Sequence, residues 1–254
     1  MALAPLLASG STAASASAAD PSAAVVRFLA SVIVAAAAAF FGFYAVKNLR
    51  FNRMESQRPF WRYLALVGAT AGIYGLLGIA GSVVRSRALT AFGHGALLFC
   101  IVFLAFSMRE VYYNSALAPA PDDQRFSLDT LRRIEAGFVV IILVEWIAVL
   151  LIDQSVVAQV VKGLGSVAFA AYGAVFAEKL EAMARGTALD TLRRHLLPVL
   201  VSLGVLGVAD LGVVAGMSPV VVQAVESVFV VLVAGFLITA TIRLQQNVEG
   251  LSAR

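Results

Sequence analysis

Five ionisable side chains interrupt long apolar stretches of this chain: His94, Glu145, Lys162, Asp210 and Glu226. A charge within hydrocarbon is costly, so such a group turns toward a protein interior or a wet cavity and finds a partner there. The chemistry open to this set is the binding of a proton, a small ion or a polar ligand. Glu145 and Lys162 fall on consecutive apolar stretches and suit an ion pair, either purely neutralising or functional. Asp210 and Glu226 flank a tight turn. Two carboxyls there repel, so one is expected to keep its proton and to offer a proton or cation site; the alternative is a pair of neutral, hydrogen-bonded acids. His94 is a ligand or a packed ring, and Gln223 and Tyr74 add neutral polar groups near the same depth.

These residues must be carried by membrane helices. The chain has 254 residues, 61% hydrophobic and 13% charged, where a soluble domain carries about a quarter charged residues. A bilayer core takes roughly 20 apolar residues per helical span. Seven spans are predicted, over 24–46, 63–84, 88–108, 133–152, 155–177, 196–216 and 219–242. The expected fold is all-α, a polytopic seven-transmembrane-helix bundle of the cell membrane. Its expected parts are a flexible extracytoplasmic tail over 1–23, the transmembrane domain over 24–243 and a short cytoplasmic tail over 244–254. An Ala-Ser-Ala stretch in the first twenty residues leaves a cleaved signal as the alternative, although no basic n-region precedes it. The connection 110–131 reads as a solvated loop, with Ser127 or Asp129 capping the fourth helix. Pro198 and Pro219 are expected near helix starts, where a missing amide costs little.

Basic residues set the orientation. The connections after the first, third and fifth spans and the C-terminal segment hold every Lys and Arg except Arg27, Arg85, Arg87 and Lys162. The positive-inside rule then predicts N-out, C-in. With about 1.5 Å of rise per residue, the five ionisable groups lie roughly 9–12 Å below the outer ends of their spans. The inner half shows no comparable cluster in the sequence; Glu135 is placed at the interface beside Arg132 and Arg133. Gly68, Gly72, Gly75 and Gly78 line one face of the second span, and Ala35 to Ala39 offer similar smoothness in the first. Small residues let helices approach closely, here within the bundle or in a homo-oligomer.

Several chemistries are argued down. His94 and His195 are the only histidines, too few for bis-haem or histidine-rich metal sites. Cys100 is the only cysteine and reads as packing. Lys162-Gly-Leu-Gly-Ser166 resembles a serine-protease motif, but no histidine is placed to activate Ser166. The positive net charge follows from topology rather than nucleic-acid binding. No catalytic constellation emerges, and the chain is not expected to be an enzyme.

Local stretches resemble the microbial rhodopsins: Phe43-Tyr44-Ala45-Val46-Lys47 at the end of span one, Phe176-Ala-Glu-Lys-Leu-Glu-Ala-Met183 followed by Leu192-Arg193-Arg194, and Glu226 with Gly235-Phe236-Leu237-Ile238 in span seven. Arg87 and Thr90 are similar to that family's arginine and the counterion position three residues on, although Thr90 carries no charge. The resemblance covers about a third of the chain. It implies an N-out seven-helix bundle and would place the retinal-bearing lysine one turn after Glu226, where this chain has Val230. No Schiff base forms there, so no cofactor is expected; Lys162 is the alternative amine.

The reading that follows is a receptor-like or sensory seven-helix membrane protein. It would bind a small ligand, ion or proton in an outer-half chamber and signal to a cytoplasmic partner. The basic inner loops would contact that partner or anionic lipid. A proton or cation transporter or channel is the first alternative, a structural subunit of a membrane complex the second.

Overall fold

The computed structural model describes residues 21–52, 54–84, 86–114, 127–152, 155–184 and 188–252. Among these residues every regular element is helical, with no strand. The helices are α1 (Pro21–Phe51), α2 (Arg58–Val83), α3 (Arg87–Asn114), α4 (Leu128–Ile152), α5 (Ser155–Ala184), α6 (Ala188–Ala209), the short α7 (Leu211–Val214) and α8 (Pro219–Ser252). A 3₁₀ turn at Glu55–Gln57 leads into α2.

Six helical stretches are long and apolar enough to cross a membrane: Ala24–Phe51, Glu55–Val83, Arg87–Asn114, Gln159–Ala182, Asp190–Val214 and Pro219–Gly250. Their outward faces carry bare apolar side chains such as Phe40, Leu76, Val220 and Ile238, which water would not tolerate in this number. These are features of a multi-pass helical membrane protein. The predicted fourth span coincides with α4, which falls outside the six. Its stretch from Glu135 to Ile152 carries only two charged residues, Glu135 and Glu145, so composition does not exclude it as a further span.

The helices overrun the predicted spans, because nothing in lipid or at its surface obliges a helix to stop where hydropathy falls. α3 continues to Asn114, carrying Arg109 and Glu110 inside the helix rather than in a loop. α8 continues to Ser252, so most of the expected tail over 244–254 is helix. Leu244 and Val248, one turn apart, are buried. Asn48 Nδ2 donates to the Leu244 carbonyl at 3.0 Å, and Asn247 Nδ2 donates to Asn48 Oδ1 at 2.6 Å. α6 begins at Ala188, which puts Pro198 inside the helix and corrects its expected place near a start. Pro219 does open α8. Ser127 accepts from the Thr130 amide at 3.2 Å and is the cap of α4, while Asp129 lies in the first turn. The tail over 1–20, its signal-like stretch and 115–126 of the long connection lie outside the described residues.

Neighbouring contacts run α1–α2, α2–α3, α3–α5, α5–α6, α6–α8 and back from α8 to α1, closing a ring of six helices. α3 also meets α6 across the middle and is the most buried of the ring. α4 touches only α3 and α5 and stands outside this ring.

The glycine face of α2 packs against α1. Gly68 lies on Gly42, Gly72 on Ala38, Gly75 on Ala35 and Gly78 on Ser31. A Cβ at Gly75 would reach the Ala35 nitrogen at 2.7 Å and its Cα at 2.9 Å, backbone atoms that cannot swing aside. Gly75→Ala is therefore expected to destabilise the bundle by about 1–3 kcal/mol, although alanine is the better helix former. Gly235→Ala, on α8 with open space around it, should be neutral or stabilising. Thermal unfolding of both variants in detergent checks the contrast.

Candidate functional site

At the upper end of the bundle, where α1 begins, a cavity of about 270 Å³ is lined by residues from six helices. Arg27 and Ser31 come from α1, Tyr74 from α2, His94 from α3, Lys162 from α5 and Glu226 from α8. Asp210 enters from the turn that separates α6 from α7. This volume is just below the usual range for pockets that hold drug-sized ligands. It suits an ion with its water or a ligand of few atoms.

Asp210 is the centre of the cluster. Lys162 Nζ donates to Asp210 Oδ2, and His94 Nε2 lies 3.2 Å from the same oxygen. The Glu226 carboxyl meets that of Asp210, with Arg27 and Lys162 close enough to act on it. Lys162 is only 3% exposed and reaches Asp210 across the α5–α6 interface. Gly163, Gly165 and Ser166 follow it on α5 and pack against Leu211, Leu98 and Gly207. The small-residue run thus brings α5 close to its neighbours and lets one long side chain cross.

Four of the five singled-out ionisable residues, with Tyr74, therefore line one cavity. Glu145 does not line it. It enters a separate small cavity between α3, α4 and α5, where His94 and Lys162 form the shared wall. The Glu145–Lys162 pair anticipated from depth gives way to Lys162–Asp210. The opposed-acid picture of Asp210 and Glu226 is altered too, because Asp210 has two basic partners. Gln223 is half-buried on α8 and is not among the residues lining the cavity.

Below this level the interior is dry. Leu97, Leu98, Ile101, Val102, Leu104 and Met108 of α3 are buried against Leu200 and Leu203 of α6. Ser166 is the one polar side chain on α5 that falls in this layer; its Oγ is buried without a partner.

A second ionic cluster occupies the lower half, contrary to the expectation that this half has none. Arg109 is 0% exposed. Its Nη1 donates to Glu135 of α4 and its Nη2 to Glu110 at 2.6 Å. Tyr172 of α5 donates to the other Glu135 oxygen at 2.8 Å. Arg132 grips Glu110 with two donors at 3.1 and 3.0 Å. Arg109, read from the sequence as a topology charge in a loop, is thus a buried strut. The missed signal was the absence of any helix breaker after Met108: one further turn of α3 carries Arg109 and Glu110 inward. Arg27 and Ser31 were missed because α1 was judged by its apolar centre.

At the lower end a cavity of about 430 Å³ lies between the end of α1, the start of α2 and the end of α8. Trp61, Gln57, Arg243 and Asn247 line it. Among the described residues no group of three or more His, Cys, Asp or Glu is placed to hold a metal ion.

Compared with protein-family models, curated proteins and solved structures, the chain matches none. The functional argument rests on the chemistry of the two clusters.

Breaking a buried ionic network strands the remaining charges. Arg109→Met is expected to cost about 3–5 kcal/mol by leaving Glu110 and Glu135 short of counter-charge. Arg132→Ala removes a partner whose side chain is 40% exposed and should cost about 1 kcal/mol or less. Thermal midpoints in one detergent compare the two.

Proposed function

We propose that this chain is a sensory membrane protein, N-out and C-in, in which α4 crosses the bilayer as a seventh helix. It binds a proton, small ion or small polar ligand in the upper, extracytoplasmic cavity and passes a helix shift to a cytoplasmic partner. The observation that carries this reading is the separation of two polar clusters by a dry layer. His94 and Arg109 are fifteen residues apart on α3, about 22 Å along its axis. From Ala96 to Phe106 the α3 side chains between them are apolar and mostly buried.

Such a layer supports transmission by packed helices over passage of an ion. α4 is the element suited to transmit. At its lower end Glu135 is bound to Arg109 and Tyr172. At its upper end Trp146 stands edge-on to Phe92 at 5.2 Å and Phe99 at 5.4 Å. Between those anchors its outer face is bare: Val140, Ile141 and Val144. Sliding or rotating such a helix disturbs few contacts. The lower cavity around Arg243 and Asn247 gives a partner a polar place to dock.

Proton transport is the second reading, favoured by the buried lower cluster and by the Ser166 and Ser202 hydroxyls buried between the two polar levels. One experiment separates them. In the Cys100→Ser background, spin labels at Glu178→Cys on α5 and Gly250→Cys on α8 report on the lower end. Their separation is expected to change between pH 5 and pH 8, and the change should vanish in Asp210→Asn. Proteoliposomes should show no proton flux above empty vesicles. Asp210-dependent flux with an unmoved label distance would establish transport instead.

The likeness to microbial rhodopsins enters this proposal only as architecture. Val230 borders the upper cavity and offers no amine, and Lys162 is engaged by Asp210. Purified protein mixed with all-trans retinal is expected to stay colourless. A visible band that disappears in Lys162→Ala would overturn that expectation.

A further inference from the structure

The small cavity beside Glu145 has a composition unlike a packing defect. It measures about 10 Å³ and is bounded by His94 and Gly95 of α3, Glu145 and Trp146 of α4, and Lys162 of α5. Two ring nitrogens of its lining residues, His94 Nδ1 and Trp146 Nε1, are buried and have no hydrogen-bond partner. Leaving a buried donor or acceptor unsatisfied costs about 1–3 kcal/mol, and here two such atoms border the same space. The indole sits directly over Gly95, where any Cβ would strike Nε1. Phe92 and Phe99 hold the ring in that position. A polar cavity of roughly 10–15 Å³ with two to four polar neighbours holds one water.

We infer that this cavity binds a single water, which joins Glu145 to the upper cluster through His94 and makes Glu145 a second proton-binding position of that site. The inference deepens the proposed function and rests on it, naming the proton as what the site exchanges. The water accepts from Trp146 Nε1–H and donates to His94 Nδ1 and to the Glu145 carboxylate. His94 lines both cavities. With Nε2 protonated it donates to Asp210 Oδ2 on one side and accepts at Nδ1 on the other, one neutral tautomer serving both contacts.

Transfer along this line balances without any other reactant. A protonated Glu145 gives its proton to the water, which passes one of its own to Nδ1. Nε2 then releases its proton to Asp210. One proton has moved from α4 to the α6–α7 turn, and the imidazole has exchanged tautomers. The groups that bias this step are Lys162 on α5, Asp210 at the end of α6 and Glu226 on α8, with Arg27 on α1 and Tyr74 on α2 across the larger cavity.

Trp146 reports on the step. The chain has two tryptophans, so Trp61→Phe leaves only the indole that borders Glu145, and Trp61 Nε1 has no hydrogen bond to lose. The emission of this single-tryptophan protein in nanodiscs is followed against pH. A transition is expected that Glu145→Gln abolishes. Its midpoint should move by about 0.5 pH unit or more in Asp210→Asn and in His94→Gln, as coupled sites require. An infrared water O–H band, shifted by H₂¹⁸O, should be present and should change in Glu145→Gln. Glu145→Ala, with helicity checked by circular dichroism, serves if the glutamine variant does not insert. Persistence of the transition without the carboxyl overturns the inference. So does a midpoint indifferent to both Asp210 and His94, or the lack of a water band that responds to Glu145. None of these results bears on the spin-label distance, which stands or falls with the sensory reading separately.

Discussion

Lys162 is a long cation buried to 3% exposure inside an apolar bundle, and the upper half of the protein is arranged around its need for a counter-charge. Alone in that environment an ammonium would cost several kcal/mol in lost hydration. Asp210 supplies the opposite charge from the turn between α6 and α7, with its own backbone still in the right-handed helical region. His94 then adds a second hydrogen-bonding contact to the same oxygen at 3.2 Å. The glycine and serine run after Lys162 lets α5 approach α3 and α6 closely enough for this contact to form. Helix packing and the ion pair therefore depend on each other: without the close approach there is no pair, and without the pair the lysine cannot stay inside.

α4 is built on a different principle. The six ring helices pack extensively along their neighbours, while α4 touches α3 and α5 only sparsely. Much of its surface, including Phe138, Ile141, Val144 and Ile147, is left bare. Lipid satisfies those side chains as well as protein does, so apolar contact gives α4 little positional preference. Its place is set by directional contacts: Glu135 in the Arg109 network and Trp146 among Phe92 and Phe99. A helix fixed by a few specific bonds is easier to shift than one fixed by many diffuse ones.

The all-helical, membrane-embedded character was legible because lipid imposes it through composition alone. The glycine face of α2 was legible for a related reason: spacings of three and four put small residues on one side, and only one kind of neighbour can use that smoothness. The convergence of His94, Lys162, Asp210 and Glu226 followed from depth, since apolar helices of known rise must bring groups at equal depth to one level. Depth says nothing of azimuth, however. Glu145 sits at the right height on a helix outside the ring, so it faces its own small cavity, and Lys162 turns to Asp210 instead. Gln223 was misplaced for the same reason. The lower cluster was hidden by a boundary error of one turn: with α3 stopped at Met108, Arg109 and Glu110 looked like surface charges, and Glu135 lost the partners that justify its burial.

The two clusters differ in how completely they are satisfied, and the difference bears on their roles. In the lower one, Glu110 and Glu135 face Arg109 and Arg132 and Tyr172 donates to Glu135, so the charges balance, although Arg109 Nε is buried without a hydrogen-bond partner. Such a network specifies geometry, because any single displacement strands a charge. The upper cluster has slack. It contains a cavity and a histidine with one nitrogen bonded and the other idle, and the Glu145 carboxyl borders the adjoining small cavity. In the proposed reading, gain or loss of a proton there redistributes bonds among partners already in place, whereas in the lower cluster it would strand a charge. α4 carries Glu145 beside the small upper cavity and Glu135 about 15 Å below in the Arg109 network, which is why the proposal assigns transmission to this helix.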